Sequence, residues 1–515
     1  MKDIISRILF PDKAKNAVDN SKYSEWIREN EKKITFLPPQ NTESGEYFPK
    51  ISIIMPVWNT GEKWLQRAIQ SVIEQDYKNW ELCIADGNST NPEVKKVLGR
   101  YSRRDGRIKI VYLTENKGIA GNTNEALGLA QGEFTGFLDH DDTLSNNCLS
   151  EVIKVLKGDR DIDIVYSDND MIDESECRTS PFFKFDFSLP AFLSTNYPFH
   201  FFLCRKSLVD SVGGLRVGFE GAQDYDLILR LVEKTTTERI AHIDKILYHW
   251  RTLPTSSAHS PAAKPHAYNA GKRAIEEYLA RNHIKGEVYE LEPGSYRVKK
   301  RVIGDPAIIL MIISGNSKVN ETFTAFFNNL LSISNCKTDL ILSPAIYAGH
   351  IHGNNQKLYD DCIREVETCM QNKKDCRVLF LDDTIPYFDS SRLNPDWIAA
   401  LTEHFGYFNV GLAGTGSLTF HNILCNVERT CGPVFCAGGD LVTGFYKKNP
   451  AIPDFDSFQI QLSDFARFNG LDNIYTPFSV GNLPNYRRIS DYYTSLEGKY
   501  FKRNMKYYLP DLSNA

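Results

Sequence analysis

The chain has 515 residues, 42% hydrophobic and 24% charged, with a net charge of −5. At roughly 100–200 residues per domain this is more than one ordinary domain, and the balance is that of a globular chain rather than a disordered or fibrous one. No Lys/Arg block is present, which argues against nucleic acid as a partner, and no apolar run approaches the roughly 20 residues of a membrane-spanning helix.

Residues 1–10 are too short and too charged for a secretory signal, and the eleven cysteines are scattered without a CxxC pair. Both features predict a cytoplasmic protein with reduced thiols. Residues 1–50 read as a helical lead-in with an apolar stripe of Tyr23, Trp26 and Ile27, closed by Pro38-Pro39. At Ile51 the pattern becomes a short apolar run ending at Pro56, as expected of a buried parallel strand. Helical spacing follows over Trp64, Leu65, Ala68, Ile69, Val72 and Ile73. A second strand over 80–85 ends at Asp86-Gly87-Asn88-Ser89. A helix over 93–101, a strand over 108–112 and a helix from Gly118 come next. A strand over 134–138 then ends at Asp139-His140-Asp141-Asp142. This alternation predicts a parallel sheet covered on both faces, with ligands bound beyond the carboxyl ends of the strands, where both acidic clusters fall.

Asp139 and Asp141, spaced Asp-x-Asp in one turn, suit a hard divalent cation. Asp86 is a carboxylate fixed at a strand end. In Gln223-Asp224-Tyr225-Asp226-Leu227, Asp224 opens an amphipathic helix and suits a general base; a helix N-cap is the plainer reading of the same position. A nucleotidyltransferase would want a glycine-rich phosphate loop near the first strand, and Pro56-Val57-Trp58-Asn59 is not one.

Residues 51–260 resemble a family 2 glycosyltransferase of the GT-A fold, the inverting type of bacterial surface-polysaccharide synthesis. The resemblance rests on Ser52-Ile53-Ile54-Met55-Pro56-Val57-Trp58-Asn59, Ala85-Asp86-Gly87-Asn88-Ser89, Phe137-Leu138-Asp139-His140-Asp141-Asp142, Gln223-Asp224-Tyr225-Asp226-Leu227 and Leu247-Tyr248-His249-Trp250-Arg251, in family order. It implies a nucleotide-sugar donor, a glycan or lipid-linked glycan acceptor, and Mn2+ or Mg2+. Pro56 and the backbone around Val57 would line the nucleotide pocket, and Asp86 would accept from the base. Asp139 would approach ribose or metal, Asp141 would ligate the metal, and Asp224 would be the base, with Asp226 the alternative. His249 would be a further metal or diphosphate contact, or else a packed histidine. Arg251 and the hydroxyls of Thr255, Ser256 and Ser257 would contact phosphate. The family often carries two acids after the second strand; here Gly87 stands in place of the second.

Residues 305–480 repeat the plan in blurred form, with strands expected over 307–313, 339–342 and 378–383. Pro344 stands at the position of Asp86, Thr384 at that of Asp141, and Gln459 and Gln461 at those of Asp224 and Asp226. Glutamine cannot take up a proton. The predicted fold is therefore α/β, with two tandem GT-A domains (Rossmann-like, mostly parallel sheets), the second degenerate. The boundaries are 1–50 for the lead-in, 51–300 for the catalytic domain, 301–490 for the degenerate one and 491–515 for a basic, aromatic tail. The second half would serve as scaffold, acceptor-binding surface or dimer interface. The tail would lie peripherally on the inner face of the membrane or pack as a helix. The competing readings are a bifunctional polymerase and a non-catalytic assembly scaffold.

Overall fold

The computed structural model describes residues 20–31, 47–184, 186–253 and 265–301, with strands and isolated helical positions between 307 and 475. The first sheet opens with β1 (Ile51–Val57), β2 (Trp80–Asp86), β3 (Ile108–Tyr112) and β4 (Phe134–Phe137), all parallel in the order β3-β2-β1-β4. Helices α2 (Glu62–Ile73), α3 (Pro92–Arg104) and α4 (Gly118–Leu127) make the crossovers, after the lead-in helix α1 (Asn20–Asn30). Both faces of β1 are covered. Ile51, Ile53, Met55 and Val57 pack with Leu65 and Ile69 of α2 and Val94 of α3, while Ile54 packs with Ala126 of α4. This two-sided burial explains the unbroken apolar run in the sequence.

Pro56 sits inside a central strand without loss. β4 pairs with β1 only as far as Ile54, where Leu138 N–H closes the ladder on Ile54 O. Pro56 faces the same flank two residues on, where no ladder partner misses its N–H. Near the other end of β2, buried Glu81 takes Ser52 Oγ (2.7 Å), Lys50 (2.7 Å) and Lys109 (2.8 Å). Burial opposes its ionisation, but Lys109, Lys50 and Ser52 outweigh it and hold the carboxyl down at about 2.

Beyond β4 the sheet continues through β8 (Phe202–Arg205), β6 (Ile164–Ile172), β9 (Ile240–Arg251) and β5 (Thr143–Leu144), with β7 (Arg178–Phe182) on β6. β8 is antiparallel to β4 and β6, and β9 is parallel to β6. The covering helices are α5 (Cys148–Gly158), α6 (Leu189–Phe192), α7 (Lys206–Ser211), α8 (Gln223–Val232) and α9 (Pro265–Arg281), followed by the hairpin β10 (Gly286–Glu292)–β11 (Ser295–Lys300). The apolar stripe of α1 packs on Phe183 and Ile246. Tyr23 OH donates to Asp170 Oδ2 (2.6 Å), and Arg178 joins Asp170 to Glu31.

The second sheet contains β12 (Ala307–Ser314), β13 (Leu340–Ile341), β14 (Ile346–Ala348), β15 (Cys376–Asp382), β16 (Val410–Gly414), β17 (Cys425–Val427), β18 (Val434–Gly438) and β19 (Asp472–Tyr475). Its path repeats the first. β13, β12 and β15 run parallel as β2, β1 and β4 do; β18 is antiparallel to β15 and β16 as β8 is to β4 and β6; β19 runs parallel to β16 as β9 does to β6. Pro344, Thr384, Gln459, Gln461 and the 491–515 tail lie outside the described residues. No helix among the described residues is long and apolar enough to cross a membrane.

Candidate active site

The parallel strands β1, β2 and β4 end along one edge, and the loops there are stitched together. Asn59 Oδ1 accepts from Thr90 N (2.8 Å) and Asn91 N (3.1 Å), Asn59 N donates to Ser89 Oγ (2.9 Å), and Ser89 N donates to Asp86 Oδ1 (3.0 Å). Asp86 is fully buried and its Oδ2 has no partner. A buried carboxylate oxygen without a donor is costly, and a ligand N–H is the natural remedy. Pro56 lines a cavity at this edge. The Val57 side chain is fully buried and its carbonyl accepts from Gly87 N (2.9 Å), while the neighbouring Trp58 is 51% exposed.

The absent second acid has a steric reason. A Cβ on Gly87 would lie 2.3 Å from Asn122 Nδ2 and 3.1 Å from Asn116 Oδ1. Asn122 is itself committed to Asn116 Oδ1 (2.9 Å) and Lys117 N (3.1 Å). Gly87→Asp is expected to lower the melting temperature, overpacking being worth about 1–3 kcal/mol, without tightening nucleotide binding. Thermal melts and calorimetric titration check it; a variant of wild-type stability with tighter binding contradicts it.

The acid turn after β4 rests on β9. Tyr248 OH donates to Asp142 Oδ2 (2.5 Å), and Arg251 N donates to Asp142 Oδ1 (2.7 Å). Asp142, which the sequence did not single out, therefore anchors the turn with both oxygens. Arg251 is fully buried, with Nε on Asp141 O (2.7 Å) and a side-chain N–H on Asp173 O (3.2 Å). The expected phosphate contact is thus a brace beneath the acid turn. Ser256, Thr255 and Ser257 lie outside the described residues.

Tyr248 of β9 reaches the acid turn, while the His249 ring is engaged by β6 and the segment before α5. His249 Nδ1 bonds Asp170 Oδ1 (2.5 Å) and its other ring nitrogen bonds Ser145 Oγ (3.0 Å). With both nitrogens engaged, the His249 ring matches the packed-histidine reading. His200, which the sequence did not single out, reaches the acid turn instead. One ligand atom from each of Asp139, Asp142 and His200 lies within 4.8 Å of the others. His200 is sandwiched against Tyr248 and Trp250. Burial, reinforced by Lys184, pushes its imidazole down to about 3, the neutral form a metal needs. Lys184 donates to the carbonyls of Phe199 (2.5 Å) and His200.

Half-buried Asp141 lies on the same turn, outside this group of three. Burial pushes Asp139 up to about 7, and the charges of Asp141 and Asp224 add to it. Carboxylates converging beside an imidazole form a donor set that fits a hard or borderline cation.

Asp224 is the second residue of α8, whose N-cap is Ala222 with no side-chain cap, so Asp224 is not the capping residue. Asp224 and Asp139 line the same cavity. Asn196 Nδ2 donates to Asp224 Oδ2 (2.8 Å). Burial lifts the Asp224 carboxyl to about 6, against the pull of the Tyr225 and Asp224 N–H groups and of Asn196. Asp226, the alternative base, is fully buried and ion-paired with Arg216 and Arg230.

A sheet of this path, with acidic loops at its carboxyl edge facing an acid at a helix start, defines a GT-A glycosyltransferase. Residues 52–213 match the model of glycosyl transferase family 2. The putative colanic acid biosynthesis glycosyl transferase WcaA of Escherichia coli K12 is 32% identical over 248 residues, covering 45% of this chain and 85% of WcaA. The chain belongs to glycosyl transferase family 2. The O-antigen biosynthesis protein RfbC of Myxococcus xanthus is 37% identical over 264 residues, 51% of this chain and 20% of RfbC. The chain spans less than a third of the length of the curated relatives it matches over half its own length. The crystal structure of S. aureus TarS 1–349 is 21% identical, covering 45% of this chain and 65% of that one, at a TM-score of 0.36.

Proposed function

We propose that residues 51–300 transfer a sugar, with inversion, from a nucleotide-sugar donor to a glycan or lipid-linked glycan acceptor. The observation that carries this reading is that Asp224 and Asp139 face one cavity, the first held ionisable at a helix start and the second beside further metal-type donors. Asp224 takes the proton of the attacking hydroxyl. Asp86 receives an N–H of the base on its unpartnered oxygen. Asp139 and His200, with Asp142 beside them and Asp141 on the same turn, would hold Mn2+ or Mg2+, which would supply positive charge to the departing diphosphate. The names of RfbC and WcaA support a surface polysaccharide as the acceptor class.

Incubating the purified chain with a panel of nucleotide sugars and Mn2+ or Mg2+ tests the reading. Release of nucleoside diphosphate, lost in excess EDTA, is expected for at least one donor. Neither turnover nor calorimetric binding across the panel contradicts it.

The second half is proposed to be catalytically empty, on the sequence positions Thr384, Gln459 and Gln461. Asp382→Ala and Gln461→Ala are then expected to leave transfer to a small soluble acceptor within about twofold of wild type. A comparable loss in both favours two active sites.

A further inference from the structure

We propose that Asn196 is the positioning residue of the base, holding the Asp224 carboxylate in one orientation. The inference rests on the reading of Asp224 as base. Asn196 lies in the segment between α6 and β8, where the sequence shows no motif. Its amide donates to Asp224 Oδ2 at 2.8 Å. Reversing the amide would set a carbonyl against the carboxylate, so the donor assignment follows from charge. Asn196 Oδ1 is buried and has no partner. An asparagine kept for packing would satisfy its carbonyl; this one leaves it bare and commits its amide to Asp224.

The segment is fixed from several sides. Thr195 N bonds Ala191 O (3.0 Å), Tyr296 N of β11 bonds Ser194 O (2.8 Å), and Ser188 N bonds Tyr197 OH (2.7 Å). Tyr225, the neighbour of Asp224, donates its hydroxyl to Phe192 O and sets its ring edge-on to that of Phe192 at 5.0 Å. Four residues after Asn196 the same segment presents His200 to the acid turn. One short stretch thus sets the spacing between the base and the acid turn. Asn196 does not line the cavity shared by Asp139 and Asp224. Its contact with the site is the hydrogen bond to Asp224, through which it acts.

The ionisable groups facing Asp224 are Asp139, with Asp141 behind it on the acid turn, and Tyr225 on its own helix. All disfavour its charged form when themselves ionised, and the Asn196 amide opposes them. Removing the amide leaves the carboxylate held only by the Tyr225 and Asp224 N–H groups and easier to protonate.

The test is the pH profile of kcat for Asn196→Ala and the near-isosteric Asn196→Asp. Loss of a hydrogen bond to a charged group lowers kcat by about 10- to 100-fold in the alanine variant. The acid limb moves up by about one pH unit. The aspartate variant, which sets a second carboxylate on Asp224, falls further, with the limb higher still. Donor KM stays within about twofold in both. The aspartate variant keeps the residue's shape, so the test survives if the alanine variant fails to fold. Wild-type kcat and acid limb in Asn196→Asp, while Asp224→Asn is dead, overturn the inference alone. Full activity in Asp224→Asn overturns the base assignment and the inference with it.

Discussion

Asp224→Asn is expected to lower kcat by ~10²–10⁴-fold, the usual worth of a general base, while nucleotide binding measured by calorimetry persists. The substitution keeps the shape and removes the proton acceptor. The wild-type pH profile carries the same signature. Burial raises the Asp224 carboxyl from its ordinary value to about 6, so the protonated, inactive form prevails below that pH and the base form above it. Wild-type kcat is therefore expected to fall about tenfold per pH unit below 6 and to level off above it, and the limb should vanish in the residual activity of the variant. Asp226→Asn behaves differently. Its carboxylate neutralises Arg216 and Arg230, and breaking a buried pair costs about 3–5 kcal/mol. It should lower the melting temperature and leave the position of the acid limb where it is. An inactive, fully folded Asp226→Asn beside an active Asp224→Asn would reverse the two roles.

Asp86, Asp139 and Asp224 were legible because each is tied to a regular element. Two end apolar strands and the third opens an amphipathic helix, so periodicity alone places them on a rigid edge. Asn196 and His200 were not, because their segment has no period, and Asn196 finds its partner 28 residues away. The two β9 readings that the geometry does not favour, His249 and Arg251, have one origin. The sequence shows a strand over Leu247-Tyr248-His249-Trp250-Arg251 but not which face meets the acid turn, and a histidine is the more obvious ligand than a tyrosine. A signal was present in β6, where the polar run Ser167-Asp168-Asn169-Asp170 follows Ile164-Val165-Tyr166 within one strand. A buried acid needs partners, and these are His249, Arg178 and Tyr23. Arg251 misled for a related reason: a long cation at a strand end reads as a phosphate contact unless its burial beneath the turn is known. At Gly87 the sequence shows a missing acid, and only the packing of Asn122 shows that a side chain would not fit.

Asp141→Ala should abolish metal-dependent transfer, by about 10³-fold or more if the cation supplies several kcal/mol to the departing diphosphate. The fold should not suffer. Among the described contacts, the Asp141 side chain lies near His140 (3.6 Å), while its backbone carbonyl, which Arg251 holds, survives the substitution. Without metal, Asp139, Asp141 and Asp224 repel one another, so removing one charge relieves the native state. The metal-free variant is therefore expected to melt at or above the wild-type temperature. Mn2+ reverses the order. A ligand that binds only the native state stabilises it by about 2.7 kcal/mol at a hundred times its Kd, so Mn2+ should raise the wild-type melting temperature and leave Asp141→Ala almost unmoved. The same shift separates the two histidines. His200→Ala should blunt the Mn2+ effect. His249→Ala should keep it but lower the baseline, since it uncouples Asp170 from β9. Full wild-type turnover in excess EDTA, or an active Asp141→Ala, would remove the cation from the reaction. A Mn2+ shift lost in His249→Ala but kept in His200→Ala would restore the ligand that the sequence first suggested.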